Sequence, residues 1–276
     1  MMETEQTRLV DEARREPVKN AFRLGLEFMD RNRLLAAMTM GIFLVLSLLD
    51  VVPVLGMFAG VALGVFSQAV QIYVGRAFYA AQDIEAYVSE AEGVQLKTFL
   101  TRYLGQAFGA WLGWLVLSLV FMLLFLVFFL SGGTDLSSFD QAAMQNEEQL
   151  LKLMVGILEA GTPLILVGLL LTYVYPIAQG RVIRSENFGE AFKAVFAIFS
   201  PAVWAAAMNR AYFSYVFFFS LALIGIAFLV FATMMLLILV PFLGAILILA
   251  WTIFLVYAFM LVLGVANTIA REIAEG

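Results

Sequence analysis

Few residues of this chain are equipped for chemistry, and most of those that are carry amides. Gln68, Gln71, Gln106, Gln179, Asn209 and Asn267 recur at the same ends of long apolar runs, in five of the six runs the chain contains. An amide both donates and accepts hydrogen bonds. Amides at one depth can therefore line a polar vestibule for uncharged cargo. They can equally pair between helices, each pair contributing about 0.6–2 kcal/mol inside a bilayer. The residues leave both readings open.

Glycines form the second pattern. Gly56, Gly60 and Gly64 open one apolar run, and Gly105, Gly109 and Gly113 open the next. Glycines four apart on a helix leave a bare groove where another helix can approach closely. The two series lie near opposite membrane faces, so each requires its own partner: a neighbour in the same bundle, a second copy of the chain, or a moving gate helix.

The acids and nucleophiles point away from catalysis. His and Cys are both absent, which removes an imidazole base, a thiolate nucleophile, a zinc thiolate site and haem ligation by His. There is no Walker A loop, GxGxxG, HExxH or Gly-x-Ser-x-Gly elbow. Asp50 and Glu159 fall at the edges of apolar runs, where water reaches a carboxylate cheaply. Asp135, Asp140, Glu147 and Glu148 lack the regular spacing of a calcium loop. The expectation is a protein without catalytic residues, metal or cofactor.

The elements that position these residues follow from composition. Hydrophobic residues make up 63% of the 276, and charged residues only 13%, against about a quarter charged in a soluble domain. From Ala211 to Ala270 there is no Asp, Glu, Lys or Arg. A span needs roughly 20 apolar residues, so this stretch holds two spans and their turn. Six spans are expected: Leu34–Leu49, Gly56–Tyr79, Leu104–Leu130, Pro163–Ile183, Ala211–Leu239 and Pro241–Asn267. They must be helices, because lipid offers no partner to backbone N–H and C=O groups. The fold class is an all-α polytopic membrane protein. Residues 1–17 read as a mobile cytoplasmic segment and 18–276 as one membrane domain, with hairpins at about 18–92, 93–185 and 186–271.

Charge sets the orientation. Of the 16 basic residues, only Lys152 falls on the second side of this arrangement. The positive-inside rule then places both termini in the cytoplasm. On the cytoplasmic side 15 basic residues balance 15 acidic ones, so the net charge of −5 sits outside. A neutral cytoplasmic face makes a poor platform for nucleic acid. The expected partners are the lipid bilayer, a second copy, or other membrane proteins.

Each hairpin is preceded by a short amphipathic segment. Val18–Met29 aligns Val18, Phe22, Leu26 and Met29. Gln95–Gln106 aligns Phe99, Leu100, Tyr103 and Leu104. Asn187–Phe199 aligns Phe188, Phe192, Val195 and Phe199. Such stripes are expected of helices lying in the membrane interface. Two outer turns also agree, Val52-Pro53-Val54-Leu55-Gly56 and Val240-Pro241-Phe242-Leu243-Gly244, in the pattern of an internal repeat. In the middle hairpin an outer helix ends near Ile157, and Thr162-Pro163 reads as an N-cap and N1 proline restarting the fourth span.

The stretch Tyr175-Pro176-Ile177-Ala178-Gln179-Gly180-Arg181, followed by Asn187-Phe188-Gly189-Glu190-Ala191-Phe192, resembles an uncharacterised prokaryotic family known only as domain of unknown function four-zero-one-three. Members of that family end a span in a Pro-Ala-Arg stretch, continue into a Phe-x-x-Ala-Phe helix and close with a hairpin. The likeness covers Tyr175–Arg271, and the family's Leu-Pro-x-Trp stretch is missing between Arg76 and Arg102. The resemblance implies a polytopic membrane protein and supplies no activity. The functional expectation is a membrane-embedded interaction or assembly component, with a transporter, channel or lipid-handling protein as the alternative.

Overall fold

A computed structural model describes residues 9–90, 96–131, 147–240 and 243–276. Every regular element among them is helical: α1 (Leu9–Ala13), α2 (Pro17–Arg31), α3 (Arg33–Asp50), α4 (Pro53–Ala80), α5 (Ile84–Ser89), α6 (Leu96–Ser131), α7 (Glu147–Arg184), α8 (Phe188–Phe196), α9 (Pro201–Ala207), α10 (Arg210–Ile238) and α11 (Leu243–Glu275). A short 3-10 turn, Ala197–Phe199, joins α8 to α9. Six of the described helices are long and apolar enough to cross a membrane, over Arg33–Asp50, Pro53–Ala80, Thr101–Val127, Gly161–Arg184, Arg210–Ile238 and Leu243–Glu275. The chain is an all-α polytopic membrane protein.

Three local expectations are overturned. Gln95–Gln106 is no separate interfacial helix; from Leu96 onward it forms the first turns of α6, because no proline interrupts the run into the span. The break expected at Glu159–Thr162 is absent, and α7 runs unbroken from Glu147 through Pro163 and Pro176. Prolines persist inside membrane helices because neighbouring helices and Ser/Thr side chains re-satisfy the freed backbone. In the N-terminal segment, Leu9, Val10 and Ala13 are buried and Leu9 N donates to Ala81 O at 3.3 Å.

The first and third hairpins turn the same corner. Val52 and Val240 both lie at the break, and their carbonyls accept from Gly56 N at 2.6 Å and Gly244 N at 2.8 Å. A side chain on either glycine would collide with a carbonyl of the incoming helix, Asp50 O or Leu237 O. The matched turns in sequence are thus matched in three dimensions. Pro241 and Phe242 lie outside the described residues.

Helix α11 is the axis of the bundle and packs against α2, α4, α7 and α10. The interior lies almost wholly at the arginine-rich end. It takes in Val65–Phe78 of α4, Val174–Ile183 of α7 and Tyr257–Ala270 of α11, while Met57, Leu123, Leu166, Phe228 and Leu243 at the far end are exposed. Backbones touch where α4, α7 and α11 meet. A Cβ on Gly75 would lie 2.9 Å from Gly264 O and 2.8 Å from an Ile183 methyl, and one on Gly180 would lie 2.6 Å from Asn267 O.

The amphipathic helices bury only part of the stripes their large residues mark. In α2 the buried residues are Asn20, Ala21, Leu24, Gly25 and Phe28, whereas Leu26 is 43% exposed. In α8 the buried residues are Ala191 and Val195, while Phe188 and Phe199 are exposed. Lipid is as apolar as Phe, so burial gives no reason to turn large side chains inward, and close approach favours small ones. Helices α8 and α9 together are also apolar enough to enter the membrane, bent by 66° at their junction. They pack on α6 and α7 as part of the bundle, not as a detached collar.

The backbone contact makes a clear prediction. Gly264→Val should lower the thermal midpoint in detergent, because displacing helices to admit a side chain costs about 1–3 kcal/mol. Gly105→Ala, at a glycine with nothing within 4 Å, should leave it unchanged or raise it. Equal midpoints for the two variants would contradict the assigned crossing.

Candidate functional site

Three of the six amides meet. Gln179 Nε2 on α7 donates to Gln68 Oε1 at 2.8 Å and to Gln71 Oε1 at 3.4 Å, both on α4. Trp114 Nε1 on α6 donates to Gln179 Oε1 at 3.0 Å. Gln179 is fully buried. The node therefore ties three spans together, with the Gln179 amide engaged at both ends.

Gln106 belongs to a second polar site. Its Nε2 donates to Ser185 O at 2.6 Å, just past the C-terminus of α7. Arg76 joins it there, with Nε on Ile183 O at 2.8 Å and its guanidinium also on the Ser185 carbonyl. The last carbonyls of a helix have no partner within it and carry partial negative charge. A guanidinium and an amide from α4 and α6 answer both needs, and the chain can turn at once into α8. Arg76, Arg102, Arg184, Glu90 and Glu186 also border a cavity of about 580 Å³ open at this end. Arg184 stacks 4.0 Å from the ring of Tyr79, and Arg102 lies 5.5 Å from that of Tyr103. With cations and carboxylates both present, the cavity has no single sign of charge.

The remaining amides separate. Asn209 caps α10: its Oδ1 accepts from Tyr212 N at 2.7 Å and its Nδ2 donates to Ala206 O at 2.8 Å. Asn267, 2% exposed, has no partner for Nδ2. It lines an apolar cavity of about 490 Å³ between α7, α10 and α11. A second apolar cavity, about 410 Å³, lies between α6 and α7.

The glycine series have distinct tasks. Gly56 forms the hairpin corner, Gly60 lies near Asp50 Oδ1, and Gly64 makes room for the Trp111 ring. Gly109 and Gly113 seat α8, facing the Phe188 carbonyl and Val195, while Gly105 faces open space. Helix α6 is thus held by α4 through Trp111 and by α8 through glycine.

Sequence reasoning missed Arg76 as a helix cap, Trp114 as the amide partner, and Gly75, Gly180 and Gly264 at the central crossing. The lone glycines carry no four-residue repeat, and Arg76 reads as one more positive charge in a link. An ion network was missed as well. Arg181 reaches Glu275 at 2.6 Å, Arg271 reaches Glu275 at 2.9 Å and Glu272 at 3.2 Å, and Arg184 reaches Glu272 at 3.3 Å. Charged residues four apart on α11 face the end of α7, a pairing that only the fold reveals. Outside the spans, burial pushes the Tyr87 phenol well above its usual range, so it stays neutral.

No family model matches this chain, and comparison with the curated proteins and with the solved structures yields no match either. Function is read from the geometry. Among the described residues no group of three or more His, Cys, Asp or Glu could hold a metal ion.

Gln179→Leu should destabilise the bundle sharply. It strands the Trp114 indole N–H and two glutamine carbonyls, and each buried unsatisfied group costs about 1–3 kcal/mol. Thermal unfolding in detergent measures the loss. A midpoint within a degree of the parent would mean the node is not formed in the membrane.

Proposed function

We propose that this chain is a non-catalytic membrane-embedded interaction or assembly component. The observation that carries the reading is α10. Its most apolar window has no residue buried in the bundle, and Phe217, Phe218, Ile224, Phe228, Leu229 and Phe231 are all exposed. A span that adds so little to its own interior leaves its faces to another chain. The buried Gln179, engaged at both ends, supports the same reading, since an open polar path would need that amide to face water. The proposed partners are a second copy or another membrane protein, and the proposed setting is a prokaryotic inner membrane with both termini cytoplasmic.

A photoreactive residue in place of Phe228 should cross-link the full-length chain to protein in native membranes. Cross-links to lipid alone, there and in a Phe217 variant, would overturn the reading. The apolar cavities beside α7 favour a second role, movement of uncharged or lipidic cargo. The interaction reading expects vesicles holding the protein to pass a fluorescent lipid between leaflets no faster than empty vesicles. Faster passage would replace it.

Orientation has its own test, helped by the absence of Cys. An impermeant maleimide applied to intact cells should label a Ser137→Cys variant and leave a Ser89→Cys variant unlabelled until the cells are opened. The reverse pattern would invert the proposed topology.

A further inference from the structure

The cavity of about 580 Å³ at the arginine-rich end is lined by charges of both signs that do not pair with one another. Arg76 and Arg102 flank the Tyr103 ring at 5.8 and 5.5 Å. Arg76 spends its hydrogen bonds on carbonyls at the end of α7, and Arg102 has neither a hydrogen bond nor an ion pair among the described residues. The carboxylates of Glu90 and Glu186 also lack a cation there; Glu90 receives the Tyr73 hydroxyl on its backbone carbonyl. Arg184, the third guanidinium on the wall, is already shared between Glu272 at 3.3 Å and the face of Tyr79 at 4.0 Å.

Two guanidinia against one ring repel each other, and an anion within reach of both relieves the repulsion. The two acids call for a cation in the same space. The cavity's volume falls within the usual range for small-molecule sites, and its depth matches a lipid head group. Helices α4 and α7 reach it with the last turns of their spans, Pro53–Ala80 and Gly161–Arg184, and α6 with the first turns of Thr101–Val127. At that level the hydrocarbon core gives way to the polar layer.

We propose that this cavity binds a phosphoethanolamine group, with its phosphate on Arg76 and Arg102 and its ammonium on Glu90 and Glu186. The planar fork of a guanidinium matches phosphate oxygens, and an ammonium donates N–H bonds to carboxylates. A phosphate without a cation would leave both acids unmatched. Choline has no N–H to give them and is recognised by aromatic faces, and the face of Tyr79 is taken by Arg184. Two sources share this chemistry, phosphatidylethanolamine in the bilayer and a free phosphoethanolamine ester in solution. The site is separate from the exposed faces of α10, and it stands whether the bundle serves a partner or a cargo.

The delipidated full-length chain in detergent is titrated with phosphatidylethanolamine, phosphatidylcholine and phosphatidylglycerol of the same acyl chains, and with glycerophosphoethanolamine. Native mass spectrometry counts what binds. Phosphatidylethanolamine should bind about tenfold more tightly than either other lipid, the size of one hydrogen bond to a charged group. Glycerophosphoethanolamine binding as tightly as the lipid identifies a soluble ester; weaker binding identifies the bilayer lipid. Arg102→Gln should weaken the binding of phosphatidylethanolamine. The double variant Glu90→Gln, Glu186→Gln should lose the preference and hold phosphatidylglycerol more tightly than the parent does. Neither variant removes a hydrogen bond or ion pair within the bundle, so both should keep the parent's thermal midpoint; Arg76 is left in place because it also closes α7. Equal binding of the three lipids by the parent would overturn the proposal, as would tighter binding of phosphatidylglycerol or a preference that survives in both variants.

Discussion

Membrane helices gain nothing by hiding apolar side chains from one another, since lipid already does so; they hold together where backbones can touch. In this chain that contact is the meeting of α4 and α11 at Gly75 and Gly264, with Gly180 of α7 against Asn267. The rest of the bundle is arranged around it. Thr268 Oγ1, one helical turn from Gly264, bonds the Gly264 carbonyl at 2.9 Å and reaches the Gly75 carbonyl at 3.4 Å. Gln71, one turn from Gly75, brings the amide node to the same junction. Gly25 lets α2 approach Val262 on another side of α11.

Close contact solves only half of the problem, because each helix end must still satisfy its backbone. Much of the polar chemistry at the arginine-rich end is spent in that way. Arg76 and Gln106 close α7, Asn187 and Asn209 open α8 and α10 through side-chain caps, and Tyr173, Tyr212 and Tyr215 each donate to a carbonyl on another element. Asn32 bridges the carbonyls of Phe28 and Val88 at 3.0 Å each, fastening α5 beneath α2. Polar residues that look like binding groups in a list are here mostly fastenings. Asn267, Tyr87 and Tyr257 are exceptions among the described residues, each with a buried polar atom that has no partner.

What could be read from sequence follows the same physics. Spans were legible because hydropathy over about 20 residues is a property of the chain alone. The hairpin corners were legible because Pro53, Gly56 and Gly244 act locally. The docking faces of α2 and α8 were not legible, since a stripe of Phe and Leu marks the buried face only where water is the alternative: Phe28 and Val195 are buried while Leu26, Phe188 and Phe199 are exposed. Thr162-Pro163 looked like a helix start because its signals suit a soluble chain, where a mid-helix proline goes unrepaired. The node of Gln68, Gln71 and Gln179 was visible as residues and invisible as a contact. It depends on the rotation of three helices about their axes, which no local pattern encodes.

The placement of the short helices has a mechanical consequence. Helices α2, α5, α8 and α9 gather around the arginine-rich halves of the spans, while the far halves of α3, α6, α10 and α11 carry side chains largely exposed. Where those short helices lie in the headgroup layer, the protein takes up more area in one leaflet than in the other. Lipids on the crowded side must spread around a broader footprint, and those opposite must fill in between thinner supports. A flat bilayer meets that inequality only with unequal tension in its two leaflets, which relaxes where the surface bows toward the arginine-rich side.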